Sequence, residues 1–294
     1  SLLQATGLDP EKQIKFAEVY LDHRGDAAEL WDKAAAAGIE PDEIQTLQLQ
    51  GKLTFLSRNS AAVARRLQKG LKISDPVQLV DNGLYQADRW IVELNAAAGI
   101  PPESGDSLTD EEKKLLDALI PASYEGESAI ERRDAYAEDM ARILKRSYYT
   151  QVVGEMISRD DEDKFNLGQS RSATAALLKN AADKGFRLGQ TPVEVFIRDH
   201  PEVLKDLDAE DAKTVKQNAK ILQRVYQITP DNDSIPILMK LGLTSAYDVV
   251  AIPMEDFLDR FGHHFPSVEE ARLVYRKAEQ VSAVTYNLFT IAKK

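Results

Sequence analysis

A run of helix start and stop signals between residues 225 and 292 constrains the fold of this chain more than any other feature. Asp233 or Ser234 can cap a first helix, because short polar side chains accept hydrogen bonds from the first backbone N–H groups of a helix. Gly242 suits the end of that helix, where glycine takes positive φ without a Cβ clash. Ser245 can cap the next helix. The stretch therefore predicts a series of short helices separated by tight turns.

Cap-like residues also precede apolar helical patterns elsewhere in the chain. Asp9, Asp26 and Asp208 are predicted helix caps, and Ser267 forms with Glu270 the pattern of a capping box at the start of a long final helix. Alternation of apolar and polar residues, the signal for a half-buried strand, does not extend over a useful length. The chain is therefore predicted to be all-α, an irregular multi-helical bundle or solenoid-like array.

An internal repeat is a second constraint. Segments 55–71 and 227–243 share the same spacing between an aliphatic residue and the glycine that follows it, Gly70 in the first and Gly242 in the second. After each glycine come a serine, a short apolar segment and a second apolar segment. The pattern favours two copies of a helix-Gly-helix unit, since helical stacks are extended by repetition. Chance similarity between glycine-capped turns is the alternative.

The segment Ala-Gly-Ile-Pro-Pro-Glu-Ser-Gly-Asp-Ser-Leu-Thr-Asp, residues 98–110, has the composition of a linker, because prolines, glycines and small polar residues disfavour regular structure. We therefore predict a first helical lobe over residues 1–98, a linker over 99–110 and a second helical lobe over 111–294. Each lobe holds one copy of the repeat. The two lobes can also pack as one domain.

Composition excludes several classes of protein. The chain has no cysteine, so disulfides, cysteine-bearing zinc sites and cysteine nucleophiles are excluded. Its formal net charge of −11 argues against nucleic acid or an anionic membrane as a general partner. No apolar run is long enough to span a bilayer, so this segment is not expected to insert into a membrane. Ser1 stands where a Met would start a chain and no signal peptide is visible, so we expect a piece of a longer protein.

No catalytic, cofactor-binding or metal-binding residue is predicted. Nucleotide-binding glycine motifs and the nucleophile-elbow motif are absent from the sequence. None of the histidines, His23, His200, His263 and His264, has a second histidine three or four residues away, the spacing that a helical metal site needs. The acidic run 160–163 lacks the alternating ligands of a calcium loop. The chain is therefore predicted not to be an enzyme.

Two motifs could mark a partner, but each has a simpler explanation. Arg24-Gly25-Asp26 matches the integrin-binding tripeptide, yet a helix end followed by a helix cap explains all three residues. The first repeat copy carries Arg65, Arg66, Lys69 and Lys72, which could hold phosphates in the manner of a helix-hairpin-helix protein. A single basic helix on an acidic chain makes nucleic acid an unlikely partner.

Motifs along the whole chain resemble one family. Residues 223–230 read Gln-Arg-Val-Tyr-x-Ile-Thr-Pro, residues 242–246 read Gly-Leu-Thr-Ser-Ala and residues 270–280 read Glu-Ala-Arg-x-Val-Tyr-x-Lys-Ala-Glu-Gln. Further motifs lie within 7–31, 120–142 and 185–196. In combination they resemble the N-terminal α-helical region of the A subunits of bacterial insecticidal Tc toxin complexes and the related plasmid-virulence A proteins.

The resemblance implies a non-enzymatic structural module. In that family the region belongs to the α-helical shell around a pentameric channel that delivers a toxin into host cells. It therefore implies a secreted or cell-surface virulence protein, contact with other parts of a longer chain, assembly as a homo-oligomer and a possible host-surface receptor. A helical protein–protein interaction adaptor unrelated to toxin delivery is the main alternative. A nucleic-acid-binding helix-hairpin-helix protein is the third.

Overall fold

The structure, a computed structural model, describes residues 6–101 and 104–292, apart from the side chains of 287–292. Within these residues the secondary structure consists of sixteen α-helices, one π-helix and short 3-10 helices, with no strand. The predicted all-α, multi-helical class is confirmed. Contacts between Cα atoms divide the chain into two compact units, Ser1–Ser147 (unit 1) and Tyr148–Lys294 (unit 2).

Unit 1 contains the first eight α-helices and the π-helix. Their bounds are α1 Pro10–Asp22, α2 Ala27–Ala36, α3 Pro41–Leu56, α4 Ala61–Arg65, the π-helix Arg66–Gly70, α5 Gln78–Asp81, α6 Ala87–Ala97, α7 Asp110–Leu119 and α8 Ala129–Ser147. Helix α6 packs against α4, the π-helix, α7 and α8. Its Trp90 and Leu94 are fully buried, as are Leu53 of α3 and Leu144 of α8. The core of unit 1 is therefore built around α6.

Unit 2 contains the other eight α-helices. Their bounds are α9 Tyr149–Ser158, α10 Arg171–Asp183, α11 Val193–Asp199, α12 Ala209–Ile228, α13 Ser234–Lys240, α14 Ala246–Val250, α15 Met254–Phe261 and α16 Val268–Ala292. Helix α12 packs against α10, α11, α13, α14 and α16. Close packing of α9 on α10 depends on Gly154, because a Cβ there would lie 3.3 Å from the Ala175 carbonyl oxygen. None of the described helices is both long and apolar enough to cross a membrane.

Four of the predicted caps, Asp9, Asp26, Asp208 and Ser245, start the helices for which they were predicted. Asp9 accepts from the Lys12 N–H at 2.9 Å at the start of α1. Asp26, Asp208 and Ser245 make the same kind of contact at the starts of α2, α12 and α14. These contacts satisfy backbone donors that have no partner within their own helix.

The cap of α13 lies elsewhere than predicted. Neither Asp233 nor Ser234 provides it: the Oδ1 of Asp231 accepts from the backbone N–H groups of both residues, at 2.9 and 3.1 Å. The Ser234 hydroxyl donates to the carboxylate of Glu270 on α16. Ser267 accepts from the Glu270 N–H at 3.1 Å, which is one of the two hydrogen bonds of the predicted capping box. Ser234 thereby ties α13 to α16.

The boundary between the units lies at residues 147 and 148, not in the predicted linker 99–110. The described part of that segment is held inside unit 1. Ser104 donates to Glu112 of α7 at 2.9 Å, and Asp106 pairs with the buried Arg133 of α8 at 2.8 Å. Proline and glycine indicate irregular backbone here, but they do not report side-chain contacts that attach a loop to a core.

One copy of the predicted repeat lies in each unit. Helices α3 to α6 follow each other in unit 1 in the order that α12 to α15 follow in unit 2. The two glycines behave differently. Gly242 has φ 72° and closes α13, where the Leu243 N–H donates to the Leu238 carbonyl at 3.0 Å. Gly70 ends the π-helix, and Lys72, with φ 55°, makes the turn.

The last long helix of each unit starts with the same pattern, Ser-x-x-Glu-x-Arg-x-x-Tyr. The residues are Ser128, Glu131, Arg133 and Tyr136 before and on α8, and Ser267, Glu270, Arg272 and Tyr275 before and on α16. Both serines accept from the glutamate N–H, at 3.2 and 3.1 Å. The Tyr136 hydroxyl donates to the Ser57 carbonyl at 2.5 Å, and the Tyr275 hydroxyl donates to the Ile252 carbonyl at 2.8 Å. Each tyrosine therefore fixes its helix to a preceding turn.

We predict that Tyr136→Phe lowers the free energy of unfolding of unit 1 by about 1 kcal/mol, because a buried hydrogen bond to Ser57 is lost. Tyr275→Phe is the matched change in unit 2. Both tryptophans, Trp31 and Trp90, lie in unit 1. Urea unfolding followed by tryptophan fluorescence should therefore respond to Tyr136→Phe alone, whereas circular dichroism should respond to both changes. Equal fluorescence shifts for both variants would contradict the assignment.

Candidate interaction groove

Two adjoining surface grooves in unit 1 form a continuous trough, the α4 trough. Their volumes are about 510 and 360 Å³, and they share Ala62 of α4 and Ala97 of α6. The first is lined by Arg58, Asn59, Ser60, Ala61, Ala62, Ala97, Ala98, Leu115, Ala118, Leu119, Ile120 and Pro121, and the second by Ala62, Arg65, Arg66, Lys69, Gly70, Ala96 and Ala97. Alanines form its centre, so the backbones of α4 and α6 are accessible to a docked partner.

Irregular backbone lies at both ends of the trough. Arg58 and Asn59, in the turn before α4, have φ values of 50° and 66°, a region that side chains with a Cβ rarely adopt. At the other end, the Leu71 N–H donates to the carbonyl of Arg66, five residues earlier, at 3.3 Å. Left-handed residues and π-helical turns are both enriched at functional sites. Their occurrence together makes this trough the leading candidate site.

The basic end of the trough has cations with and without partners. Arg66 donates to Glu93 of α6 at 2.8 Å, and Glu93 is only 3% exposed. Arg65, Lys69 and Lys72 are exposed and form no ion pair with any described residue. Arg65 and Lys69 are spaced i, i+4, so their like charges repel each other along the helix. An anion placed between them would relieve that repulsion.

The opposite end of the trough has an apolar wall in addition to the polar residues Arg58, Asn59 and Ser60. Leu115 of α7 is 52% exposed although it is a large hydrophobic side chain. Ile120 and Pro121 continue this wall after α7 ends, and Ala97 and Ala98 face them from the end of α6. A cationic end joined to an apolar end is the arrangement that receives an amphipathic segment.

Arg58 is held in place by neighbours on α8 and in the preceding loop. Its Nε donates to Asp139 at 2.8 Å, and the Tyr124 hydroxyl donates to the same carboxylate at 2.7 Å. Burial acts to raise the pKa of Asp139, but the hydrogen bonds from Arg58 and Tyr124 outweigh it and hold the pKa below its usual range. Burial, with the Asp139 carboxylate, raises the pKa of Tyr124 to about 12. Arg58 is therefore committed to structure.

The sequence predicts the cations of this site but not its apolar end. Arg65, Arg66, Lys69 and Lys72 are visible as a basic helix, although Arg66 is occupied by Glu93. Leu115 reads as an ordinary core position of an amphipathic helix. The alanine run at 96–98 is the one sequence signal that could have indicated close approach, because small side chains leave room for a partner.

A second groove, in unit 2, differs in character. Its volume is about 440 Å³ and it is lined by Arg224, Gln227, Ser245, Ala246, Tyr247, Val281, Ser282, Thr285 and Tyr286. Tyr247 is 75% exposed. Arg224 is the one charged residue in this lining, so the groove lacks the paired chemical character of the α4 trough. It provides a comparison surface for experiments on the trough.

The Arg24-Gly25-Asp26 tripeptide serves the helix ends on either side of it. The Arg24 guanidinium donates to two carbonyls near the end of α1, at 3.1 and 3.2 Å. The Asp26 carboxylate accepts from the Glu29 N–H at 3.0 Å and caps α2. Both charged groups of the motif are used in local structure, in agreement with the cap explanation.

The acidic run 160–163 folds as a loop stabilised by its own backbone. The Asp160 carboxylate accepts from the N–H groups of Lys164 and Phe165, both at 2.8 Å. Asp163 accepts from two further backbone N–H groups. These donors occupy both oxygens of the Asp160 carboxylate and one oxygen of Asp163. Among the described residues, no group of three or more His, Asp or Glu is placed to hold a metal.

The histidines are dispersed over both units. His23 contacts the Asp26 carbonyl at 2.7 Å, and His200 contacts Glu202 at 3.4 Å. The rings of His263 and His264 lie 4.1 Å apart, next to each other after α15. Their placement offers no shared chemistry.

Glu155 is the centre of a buried ion-pair network in unit 2. The residue is 5% exposed, and Lys179 of α10 and Arg159 both donate to its carboxylate. Burial acts to raise the pKa of Glu155, but the two cations outweigh burial and hold the pKa below its usual value. The carboxylate therefore joins α9 to α10 as an anion. Nothing around it resembles a substrate site.

We predict that Asp160→Ala destabilises unit 2 by about 2 kcal/mol, because two backbone N–H groups lose a charged acceptor. Thermal unfolding followed by circular dichroism measures the change. Adding calcium chloride at millimolar concentration should leave the midpoint of the unsubstituted chain unchanged. A calcium-dependent rise that Asp160→Ala abolishes would show that the loop binds the ion.

We predict that Glu155 contributes to acid unfolding of unit 2. Its folded-state pKa lies below the unfolded value, so its stabilisation is present above the unfolded pKa and is lost as pH falls through the folded pKa. Glu155→Gln should lower stability by about 2 kcal/mol at pH 7 and flatten the dependence of stability on pH below pH 5. Urea unfolding at several pH values measures both effects. An unchanged slope would contradict the assignment.

No family model, curated protein or solved structure matches this chain. The function of the chain is therefore inferred from the motif resemblance and from the geometry of the α4 trough.

Proposed function

We propose that the chain is a non-enzymatic structural and interaction module, and that it serves in the α-helical shell region of a Tc-type toxin A subunit. The observation that carries the interaction role is the α4 trough, an open surface with unpaired cations at one end and the exposed Leu115 side chain at the other. The toxin assignment is supported by the motifs that resemble the family.

The residues that carry the resemblance have structural roles in this chain. Ser245, within Gly-Leu-Thr-Ser-Ala, caps α14. Tyr275, in the motif at 270–280, fixes α16 to the turn after α14, and Tyr136 fixes α8 to the end of α3. Motifs made of caps and buried tyrosine hydroxyls are what a scaffold needs. They support a role in assembly and protection of a larger complex.

A protein–protein interaction adaptor unrelated to toxins is the second candidate, and the α4 trough favours it as much as it favours a shell role. The nucleic-acid-binding hypothesis has less support. Arg66 is engaged by Glu93, and the apolar wall at Leu115 offers nothing to a phosphate backbone. The proposed setting is a secreted or cell-surface bacterial virulence protein that assembles as a homo-oligomer, a pentamer in the family it resembles.

We expect the gene to encode a protein many times longer than these 294 residues. We also expect that protein to assemble as a pentamer. Sequencing the gene on both sides of this segment and weighing the purified product by mass photometry tests both points. A short product that remains a monomer would exclude the toxin role and leave the adaptor role. The variant Arg65→Glu/Lys69→Glu should assemble normally, because the trough is proposed to bind a partner and not to hold the protomers together.

A further inference from the structure

We propose that the α4 trough binds an amphipathic helical segment of a partner protein, with acidic side chains against Arg65 and Lys69 and small apolar side chains against the alanine floor. The proposal rests on the interaction role proposed above and names the class of partner. It follows from the charge, the shape and the backbone of the trough, taken in turn.

Charge defines one end of the partner. Arg65 and Lys69 project from adjacent turns at i, i+4 spacing and have no carboxylate partner among the described residues, although the chain carries 48 acidic residues against 37 basic ones. The nearest buried acid, Glu93, is already bound to Arg66. Carboxylates at matching i, i+4 spacing on a partner helix would meet both cations at once.

Shape defines the other contacts. The two grooves are open along their length, unlike the enclosed pockets that bury small molecules. The shared Ala62 and Ala97 present only methyl groups, so a partner backbone can approach closely. Leu115 supplies an exposed aliphatic contact beyond them. An elongated surface of this kind matches a helix that presents apolar residues on one face.

Backbone irregularity supplies independent support. The π-helix widens the turn that carries Lys69, and left-handed Arg58 and Asn59 shape the opposite end. Left-handed residues with a Cβ and π-helical turns are both rare in regular backbone. The second repeat copy, with Gly242 at its turn, closes without a π-helix. The irregular geometry is therefore specific to the copy that carries the trough.

Nucleic acid fits the same surface less well. A phosphate backbone needs several free cations along its path, whereas Arg58 at one end of the trough is paired with Asp139 and Arg66 at the other end is paired with Glu93. An acidic helix needs only the two cations and gains from the apolar end.

The test uses the chain Ser1–Lys294 and three fluorescent peptides of equal length. Each peptide has the same alanine- and leucine-rich face, and its polar face carries Glu, Gln or Lys at i, i+4 spacing. Fluorescence anisotropy should show selective binding of the Glu peptide, weakening as salt is added because the ion pairs are screened. Arg65→Glu/Lys69→Glu should weaken this binding by about tenfold or more, since two attractions become repulsions.

Matched variants separate the trough from general charge. Lys205→Glu/Lys213→Glu makes the same charge change at exposed positions of unit 2 and should leave binding within about twofold. Tyr247→Ala, in the unit 2 groove, should also have no effect. Arg65→Lys/Lys69→Arg should retain binding, and Ala62→Trp should block it by filling the trough. Tryptophan fluorescence and circular dichroism of each variant confirm that the fold is intact.

Several results would overturn the proposal. These are equal binding of the Glu, Gln and Lys peptides, no binding of the Glu peptide, or an equal loss in Lys205→Glu/Lys213→Glu. Tighter binding of a duplex DNA that Arg65→Glu/Lys69→Glu abolishes would assign the trough to nucleic acid. Self-association abolished by the same variant would assign it to a second copy of this chain. Pentamer assembly of the full product is a separate measurement, so either hypothesis can fail while the other stands.

Discussion

This structure depends above all on finding hydrogen-bond partners for the ends of its short helices, because each helix leaves backbone N–H and carbonyl groups without partners there. Helices such as α4, α5, α13 and α14 contain two turns or fewer, so their ends make up most of their length. The chain meets this requirement with side chains from outside the helix, including the Asp231 carboxylate at α13 and the Tyr136 hydroxyl at the end of α3. Polar residues in the two units are therefore mostly structural.

The parts of the fold that depend on local chemistry could be predicted from the sequence. Caps such as Asp9, Asp26 and Asp208 act within three residues of themselves, so their effect is encoded locally. The segment 104–110 shows the limit of this reasoning, because its attachment to unit 1 through Asp106 and Arg133 joins residues far apart in the chain. Asp231 caps α13 instead of the predicted Asp233 or Ser234, because the four successive polar residues 231–234 offer similar chemistry and only the path of the backbone decides among them.

The candidate site shows the same division. Its cations could be predicted, but the pairing of Arg66 with Glu93 could not, since the two residues lie on different helices and become neighbours only after α6 packs on the π-helix. The exposure of Leu115 depends on where α7 lies against α6 and α8. Two sequence motifs that could have served a function have structural roles instead: Asp26 caps a helix, and Asp160 closes a loop. The surface of the α4 trough has no structural role of this kind.

The π-helix at Arg66–Gly70 has a consequence for how this surface could change over generations. A π-turn holds one residue more than an α-turn, so deleting a single codon within the π-helix would restore a regular helix. Val63, before the π-helix, and the elements after the π-helix could keep their places in the core. Such a deletion would change the spacing of Arg65 and Lys69 from i, i+4 to i, i+3, which turns Lys69 by about 100° around the helix axis relative to Arg65. The two cations would remain neighbours, but Lys69 would lie on the other side of Arg65. Closely related chains could thus redirect this pair of cations by a change of one residue in length, with the rest of unit 1 unaltered.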